Sequence, residues 1–238
     1  RSVGAIDPQR LLFIPGQTYP VSMIVVSYGG GTNSTAMLIG MYERNIKPDY
    51  ILFADTGGEK PHTYQYIETI QEWLKSVDFP PIIVVRDKKT LEQDCLDRKA
   101  LPSVAYGFKT CSQRFKMQPQ QKYLNQLKIK NYEKWIGIDA DEPHRAKNYE
   151  DTKYPLIEWD WGRDECIEAI KRVGLPLAGK SACFFCPSSK VHEIKWLNKT
   201  HPDLMERALK MESNAELEVV KGLGRNYAWK EVVDYDNN

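Results

Sequence analysis

The first part of the chain alternates between short apolar runs and segments whose apolar residues recur at helical spacing. Short runs rich in β-branched residues are typical of buried strands. Strands are predicted at 23–28, 49–58 and 81–87, with helices between them at 33–45 and 62–77. This β-α-β-α-β order predicts an α/β fold with a doubly wound, mostly parallel sheet.

The pattern becomes less regular after residue 89. Helices are predicted at 90–101, 118–128, 163–175, 186–202 and 203–220, a fourth strand at 132–139, and a fifth strand or an extended link at 155–159. We therefore divide the chain into an N-terminal extension (1–21), an α/β core (22–150), a helical part that contains cysteines (151–220) and a tail (221–238). The tail is polar and contains two glycines, which predicts partial disorder.

Composition restricts the partners of the protein. The chain has 33 Lys and Arg and 32 Asp and Glu, so its net charge is +1 and a nucleic acid would have to bind a local basic patch. No apolar run approaches the ~18 residues of a membrane span, so no membrane partner is expected. The first residues lack the long apolar stretch of a signal peptide, which predicts a cytoplasmic protein.

The segment SYGGGTNSTAML (27–38) joins the first predicted strand to the first predicted helix. Its three glycines can adopt backbone angles that turn successive N–H groups towards an anion. Asn33 is expected to cap the helix, whose N-terminus favours phosphate. No lysine follows the glycines, unlike in a nucleoside-triphosphate P-loop. The alternative is a tight strand–helix turn that binds nothing.

The cysteines are odd in number, which argues against a disulfide scaffold and for a reducing compartment. Cys166 shares a helical face with Ile170 and Val173 and is predicted to lie in the core, and Cys95 is also expected to pack within a helix. The five cysteines are Cys95, Cys111, Cys166, Cys183 and Cys186.

Five segments, in order, resemble motifs of the PP-loop ATP pyrophosphatase and PAPS reductase superfamily, which has the adenine nucleotide α-hydrolase fold. They are the glycine loop, FADTGGEKPHT (53–63), CSQRFKMQP (111–119), IGIDADEPHR (136–145) and GKSACFFCPSSK (179–190). In the superfamily loop an aspartate stands where this chain has Asn33, and one glycine fewer is present. The first two segments also look like those of DNA phosphorothioation enzymes and phage-borne members.

The resemblance implies that ATP is cleaved between its α- and β-phosphates, that AMP is transferred to an acceptor and that pyrophosphate leaves. The loop would hold the leaving pyrophosphate, with Mg²⁺ sharing its charge, so the lysine of β/γ chemistry is not needed. The implied loop contacts are Ser27, Gly29, Gly30, Gly31, Asn33, Ser34 and Thr35. Further nucleotide contacts are expected from Phe53, Ala54, Asp55, Thr56 and Gly137.

The resemblance also supplies three catalytic candidates, which are Asp55, Asp139 and Arg145. Asp55 would hold a ribose hydroxyl or a metal, or it would only cap the turn before Gly57. Arg145 would clamp a phosphate with its planar guanidinium, or it would form a surface ion pair with Glu142. Asp139 and its acidic neighbours 141 and 142 would bind Mg²⁺, or they would form a solvated acidic loop.

Cys183 and Cys186 stand in a C-x-x-C-P segment, which is typical of metal and iron–sulfur sites. The resemblance implies that Cys111 joins them on a [4Fe–4S] cluster, and that three thiolates leave one iron open. Zinc is the alternative, with His192 or Cys95 completing a tetrahedral site. A redox or structural role without metal is the third interpretation.

Three functions follow from these observations. The first is an ATP pyrophosphatase that activates an acceptor for sulfur insertion, with a cysteine desulfurase as sulfur donor. The second is a PAPS reductase, an oxidoreductase that needs a catalytic cysteine in a mobile C-terminal tail, whereas no cysteine follows Cys186 here. The third is a non-catalytic adenine-nucleotide-binding subunit, which Asn33 favours. The sequence does not indicate an oligomeric state.

For the first function the acceptor is expected to be a nucleic acid, and DNA rather than tRNA. Basic runs at 86–89, 128–130 and 171–173 would form a rim, with tryptophans as stacking surfaces. The alternative is that the charges coat solvated faces and that the tryptophans fill cores. The tryptophans concerned are Trp135, Trp159 and Trp161.

Overall fold

The computed structural model describes residues 22–102, 104–105 and 108–236, and its centre is a five-stranded sheet whose pairings are all parallel. The strand order is β3-β2-β1-β6-β7. The strands are β1 (Met23–Tyr28), β2 (Tyr50–Ala54), β3 (Ile82–Val85), β6 (Tyr132–Ile136) and β7 (Thr152–Lys153), and a separate antiparallel pair consists of β4 (Val104–Ala105) and β5 (Phe108–Lys109). The predicted α/β fold class is confirmed.

Helices cover the sheet and far outnumber strands in the second half of the described chain. They are α1 (Thr32–Glu43), α2 (Pro61–Ser76), α3 (Leu91–Asp97), α4 (Thr110–Ser112), α5 (Gln118–Gln126), α6 (Pro155–Glu158), α7 (Arg163–Arg172), α8 (Val191–Thr200), α9 (Pro202–Asn214) and α10 (Trp229–Asp236). A π-helical segment, Gln113–Met117, joins α4 to α5, and a 3-10 turn forms at Pro143–Arg145.

The first hydrophobic cluster lies around α1. Nine of the twelve residues of this helix are buried, because it packs against the sheet on one side and α7 on another. A helix that is apolar on most of its surface is typical of such a central position. Cys166 and Ile170 of α7 are fully buried in this cluster, which confirms the predicted core position of Cys166. The division near residue 150 remains a prediction, although residues on both sides of it share this cluster.

The second hydrophobic cluster joins α8, α9 and α10 to α3 and to the segment that contains Phe184 and Phe185. Cys95 of α3 is 1% exposed within it, as predicted for helix packing. Trp229, the first residue of α10, is also 1% exposed. The three backbone N–H groups of residues 223, 229 and 230 donate to the buried carboxylate of Glu212. The start of α10 is therefore anchored to α9.

Several element predictions are wrong. Residues 155–158 form the short helix α6 instead of a strand or extended link, and the fifth strand is β7, just before it. Residues 186–190 form turns before α8, because the N–H of Cys186 donates to the carbonyl of Cys183 and that of Ser189 to Cys186. The partly disordered tail is wrong for residues 229–236, which form α10.

The proposed N-terminal extension, 1–21, lies outside the described residues. In the part of the chain that the structure describes, no helix is both long and apolar enough to cross a membrane.

Candidate nucleotide-binding site

The glycine loop connects the C-terminal end of β1 to the N-terminus of α1. Gly30 has a φ of +72°, and a Cβ atom there would lie 2.9 Å from Cγ2 of Thr63 at the start of α2. Both the backbone angle and the space therefore require glycine. Gly31 precedes α1 with an extended backbone, and its carbonyl accepts a hydrogen bond of 3.1 Å from the hydroxyl of Ser34. The first N–H groups of α1 face the loop without partners inside the helix.

Asn33 is not the helix cap, because α1 begins at Thr32 and Gly31 occupies the cap position. Its side chain connects two distant segments instead. The amide nitrogen of Asn33 donates to Oδ2 of Asp139 over 2.8 Å, and its amide oxygen accepts from Arg163 over 3.0 Å. The prediction of a capping role is wrong because the glycine backbone already forms the entry to the helix.

Asp139 is 3% exposed, and its Oδ1 atom has no hydrogen-bond partner among the described residues. Gly137, at the end of β6, approaches the first turn of α1 so closely that a Cβ atom would lie 2.8 Å from the backbone nitrogen of Ser34. Two predicted site residues that follow β6, Gly137 and Asp139, thus lie beside the glycine loop. An unpartnered buried carboxylate oxygen is available there for a ligand, water or cation.

The remaining acidic residues of this loop have other partners. Asp141 accepts a 2.6 Å hydrogen bond from the backbone N–H of Arg163 at the start of α7. Glu142 forms an ion pair with Arg145, and both side chains are exposed. The surface pairing of Arg145 is therefore observed, whereas its role as a phosphate clamp remains a prediction. The same holds for Mg²⁺ binding by Asp141 and Glu142.

The segment after β2 is a turn whose contacts converge on Asp55. Oδ1 of Asp55 accepts from the N–H of Gly57 over 2.7 Å and from the hydroxyl of Tyr64 over 2.8 Å, and its Oδ2 lies 3.1 Å from Arg86. Burial, together with the hydrogen bond to Asp55, raises the pKa of Tyr64, which therefore remains a donor at neutral pH. Asp55 thus caps the turn before Gly57, which agrees with the second of its two predicted roles.

The other predicted nucleotide contacts are buried side chains. Phe53, Ala54 and Thr56 are 2%, 3% and 1% exposed. Thr35 is fully buried, and its hydroxyl lies 3.1 Å from that of Tyr28. Their roles in binding remain predictions.

Ser27 is bonded through its hydroxyl to Gln120, whose side-chain nitrogen donates over 3.0 Å. Gln120 is 2% exposed, and its amide oxygen has no partner among the described residues. The serine of the loop motif is thus fixed from the α5 side of the sheet. Direct binding of a phosphate by Ser27 remains a prediction.

Residues 179–181, which we call the strap, cross over the glycine loop. The hydroxyl of Ser181 donates to the carbonyl of Gly29 over 2.7 Å, and a Cβ atom on Gly31 would lie 3.2 Å from the same hydroxyl oxygen. The carbonyl of Lys180 lies 3.3 Å from Nε2 of His62 on α2. The strap therefore closes one side of the loop and connects it to the cysteine segment that follows.

Cys183 is buried beneath the turn after β2. Its sulfur lies 3.1 Å from the hydroxyl of Thr56, and residue 183 forms an isolated antiparallel bridge with Glu59. Burial and the nearby Glu59 carboxylate raise the pKa of the Cys183 thiol to about 12. Burial and the neighbouring Cys186 also raise the pKa of Cys111. In this arrangement the thiols are protonated at neutral pH.

The three predicted metal ligands, Cys111, Cys183 and Cys186, all contact the second hydrophobic cluster. Within the described ranges, however, no three His, Cys, Asp or Glu side chains converge in a way that could hold a metal ion. The arrangement therefore does not fit a bound ion, and we derive no reaction step through a metal at these cysteines. Cys95, one of the two proposed additional zinc ligands, lies within the packed face of α3.

Glu59 and Lys116 form an ion pair between the turn after β2 and the π-helical segment. Nζ of Lys116 lies 3.0 Å from Oε1 of Glu59, whose side chain is fully buried and whose Oε2 has no described partner. Burial is the largest single effect on Lys116 and opposes its charge, but the charge and hydrogen bond of Glu59, together with the nearby Cys183 and Cys186, outweigh burial and raise the pKa of the lysine to about 12. The pair fixes the cysteine-bearing region to the edge of the sheet.

Residues 23–164 match the family model described as the phosphoadenosine phosphosulfate reductase domain. The chain belongs to this family. Enzymes of the family act on nucleotides. The predicted PP-loop and PAPS reductase superfamily is thus confirmed.

Three individual proteins are similar to this PAPS reductase family member. The uncharacterized nin region protein ORF290 of Escherichia phage lambda is 27% identical over 71% of this chain and 67% of its own length. A phosphoadenylyl-sulfate reductase from Candida auris, solved as a phosphate complex, is 14% identical with a TM-score of 0.44 over 69% of this chain and 82% of that one. The U34-tRNA thiolase NcsA from Methanococcus maripaludis, solved with its [4Fe-4S] cluster, is 18% identical with a TM-score of 0.45, and the comparison covers 83% of this chain and 74% of that one.

The family match includes the glycine loop, the turn after β2, Cys111 and the acidic loop, but it ends at residue 164. Cys183, Cys186 and the strap lie beyond it. Sequence reasoning did not find Thr63, Arg163 or Ser181, which surround the loop from α2, α7 and the strap. Thr63 and Ser181 lie within two of the motif segments, but no local pattern assigns any of the three a contact with the loop, because each reaches it only through the tertiary fold.

The tryptophans predicted as stacking surfaces lie in or against the first cluster. Trp135 is 8% exposed, which agrees with the alternative that it fills the core. Trp159 and Trp161 pack against α1, where a Cβ atom on Gly40 would lie 2.4 Å from the Trp159 ring. The guanidinium of Arg44 covers both rings, at 4.2 and 5.1 Å from their centroids.

Proposed function

We propose that this PAPS reductase family member is an ATP pyrophosphatase. It would cleave ATP between the α- and β-phosphates, transfer AMP to an acceptor and release pyrophosphate. The acceptor would be a nucleic acid activated for sulfur insertion, with a cysteine desulfurase as sulfur donor. Family membership supports a nucleotide substrate.

The observation that supports the proposal most is the backbone of the glycine loop. The left-handed Gly30 and the helix-capping Gly31 turn the chain at the end of β1, and α1 begins immediately afterwards. Unpaired N–H groups at a helix N-terminus bind phosphate without a lysine. The loop lies at the carboxyl end of a central parallel strand, where ligands bind in doubly wound folds.

One residue near this loop, Asp139, could serve as a ligand for Mg²⁺. Asp139 presents a buried carboxylate oxygen without a described partner beside the first turn of α1. Proteins commonly hold Mg²⁺ with one or two carboxylates while substrate phosphates and water supply the other ligands. Asp139 would hold the ion, and the ion would supply charge neutralisation at the leaving pyrophosphate. Asn33 would orient Asp139 through its amide N–H.

The predicted [4Fe–4S] cluster on Cys111, Cys183 and Cys186 takes no part in the proposed cleavage of ATP, and its presence is a separate prediction. The cysteines share one region of the molecule, which supports a common role. Because their side chains do not converge on one ion, loading a cluster would require them to move. Zinc remains the alternative metal.

The reaction is tested by incubating the protein with Mg²⁺ and ATP labelled at the α-phosphate, and by separating the products. We expect labelled AMP, or AMP attached to an added DNA or tRNA acceptor, together with pyrophosphate. Gly30→Val should abolish the product. Gly174→Ala is the control, because Gly174 lies outside the loop, has the same φ of +72° as Gly30, and has no neighbour within 4 Å of a Cβ atom.

Three other outcomes would assign different functions. ADP and phosphate as the sole enzyme-dependent products would exclude cleavage at the α-phosphate. Thioredoxin-dependent release of sulfite from PAPS would identify a reductase. Tight ATP binding without turnover, with every acceptor tested, would indicate the non-catalytic subunit.

A further inference from the structure

Trp196 on α8 is the most exposed tryptophan of the molecule. The chain has six tryptophans, and Trp196 alone has a large exposed fraction, 42%. Two imidazoles stand beside it, with ring centroids 6.1 Å away for His62 and 5.4 Å away for His201. An exposed indole of this kind contributes little to the core, whereas it provides a surface on which a planar ligand can stack.

A positive charge lies beside this indole. Nζ of Lys60 is 5.6 Å from the centroid of the Trp196 ring, and Lys60 forms no ion pair with any residue that the structure describes. Burial and the nearby Lys180 charge lower the pKa of Lys60 overall, although the more distant carboxylates of Glu193 and Glu59 oppose this. Because no described carboxylate lies within ion-pair distance of this buried lysine, an anionic ligand beside it would supply the missing counter-charge.

The Trp196 surface is connected to the glycine loop through the strap. His62 contacts Trp196 on one side, and its Nε2 lies 3.3 Å from the carbonyl of Lys180. The next residue, Ser181, donates to Gly29. Lys180 itself pairs with Glu193 of α8 over 2.7 Å. Each step of this connection is a direct contact, so the indole is linked to the glycine loop through His62 and the strap.

We propose that Trp196 and Lys60 form the position at which one unpaired nucleotide of a nucleic-acid acceptor binds. The base would stack on the indole, and a phosphate would lie near the Lys60 ammonium. The inference rests on the proposed function and specifies its acceptor as single-stranded or locally unpaired. An aromatic ring next to a cation is the recurring arrangement for binding unpaired nucleotides. Because the net charge is only +1, binding would depend on local sites of this kind instead of a general positive field.

The test is fluorescence anisotropy with labelled oligothymidylate and oligouridylate of about 12 nucleotides, within the usual site sizes. Trp196→Ala should weaken binding about five-fold or more, and Trp196→Phe should retain most of it because the ring is kept. Tyr149→Ala is the matched control, since Tyr149 is 49% exposed on the loop before β7. Circular dichroism and the melting temperature establish that each variant is folded.

A second set of measurements separates the contribution of base stacking on Trp196 from that of the Lys60 charge. An oligonucleotide with abasic sites should bind the parent and Trp196→Ala equally, because it offers no base to stack. Lys60→Gln should lower the slope of log affinity against log salt by about one, as expected for the loss of one phosphate contact. A loss of affinity at every salt concentration without a change in slope would overturn the role of Lys60.

The inference as a whole is overturned if neither oligonucleotide binds the parent in low salt, if duplex DNA binds in preference, or if Trp196→Ala binds as the parent does. These results are independent of the ATP assay. AMP formation with a small-molecule acceptor and no oligonucleotide binding would leave the pyrophosphatase proposal intact. Oligonucleotide binding at Trp196 without AMP formation would overturn only that proposal.

Discussion

The side-chain amide of Asn33 donates a hydrogen bond of 2.8 Å to the buried carboxylate of Asp139. This contact joins the first turn of α1 to the loop after β6, 106 residues later in the chain. The related superfamily motif has an aspartate at the position of Asn33. The amide therefore gives this chain a neutral donor at a place where an aspartate would bring two carboxylates together.

Asn33→Asp should destabilise the protein by about 1–3 kcal/mol at neutral pH, because like charges would face each other and the donor would be lost. The added charge would also attract Arg163, but this contact is exposed and offsets only part of the loss. The loss should diminish as the pH falls towards about 4, where one carboxyl group takes up a proton and can donate again. Urea unfolding at both pH values measures the effect. Asn33→Ala serves as the control, since it removes the donor without adding charge, and its stability loss should not depend on pH in this way.

Gly30→Val should remove ATP binding and lower stability by more than the ~1–2 kcal/mol expected from the left-handed backbone alone. The excess arises from the contact with Thr63, only 2.9 Å from a Cβ atom. Gly174→Ala isolates the backbone cost, because Gly174 also has a φ of +72° and no neighbour within 4 Å of a Cβ atom. Calorimetric titration with ATP should show normal affinity for that control. Equal affinity of Gly30→Val and the parent would place the phosphates elsewhere.

Lys116→Met should destabilise the protein by about 3 kcal/mol, the lower end of the range for a broken buried pair, since water reaches part of the lysine. In the parent, the pKa of Lys116 is raised from 10.5 to about 12 by the fold, so its contribution is fully present below about pH 10.5 and is lost as the pH rises towards 12. Denaturation at several alkaline pH values should show this loss in the parent and not in the variant.

Lys171→Met is the control for the buried pair. Lys171 pairs with Glu168 over 2.9 Å, and both side chains are more than half exposed, so its removal should change stability by less than about 1 kcal/mol. A similar loss in the two variants would show that the burial of Glu59 does not matter.

Anaerobically purified protein should contain iron and acid-labile sulfide if the cysteines hold a cluster. Cys111→Ala, Cys183→Ala and Cys186→Ala should each reduce the iron content strongly. Cys166→Ala should not, because Cys166 is fully buried in the first cluster between α1 and α7. Stoichiometric zinc without iron would favour the alternative metal. Protein that contains neither iron nor zinc in stoichiometric amount would exclude both.

The α/β core could be predicted because its strands are short, apolar and β-branched, and because α1 and α2 alternate with them. The glycine loop was also recognisable, because three consecutive glycines stand between a predicted strand and a predicted helix. The structure agrees, since Gly30 has a backbone conformation that only glycine adopts easily. The function of Asn33 was not predictable. Its cap position looked favourable locally, but its partner Asp139 is defined by the strand order β1–β6, which the sequence does not reveal.

The C-terminal part was less predictable for a related reason. α10 follows a polar segment with two glycines, and such a segment is typical of a loose tail. Its start is stabilised by the buried carboxylate of Glu212, which accepts hydrogen bonds from the N–H groups of Trp229 and Lys230. Ser181 and Thr63 were missed similarly, because serine and threonine occur throughout the chain and only the fold brings these two to the loop.

The shared cluster of α1 and α7 has a consequence for dividing the protein. The family match ends at residue 164, near the first residue of α7, whereas the apolar contacts of this helix with α1 continue to Ile170. A fragment cut at the end of the match would expose the α1 surface that Cys166 and Ile170 cover, and it would be expected to aggregate. Domain exchange between relatives should therefore be made after residue 175, so that α1, which follows the glycine loop, keeps the helix that packs against it.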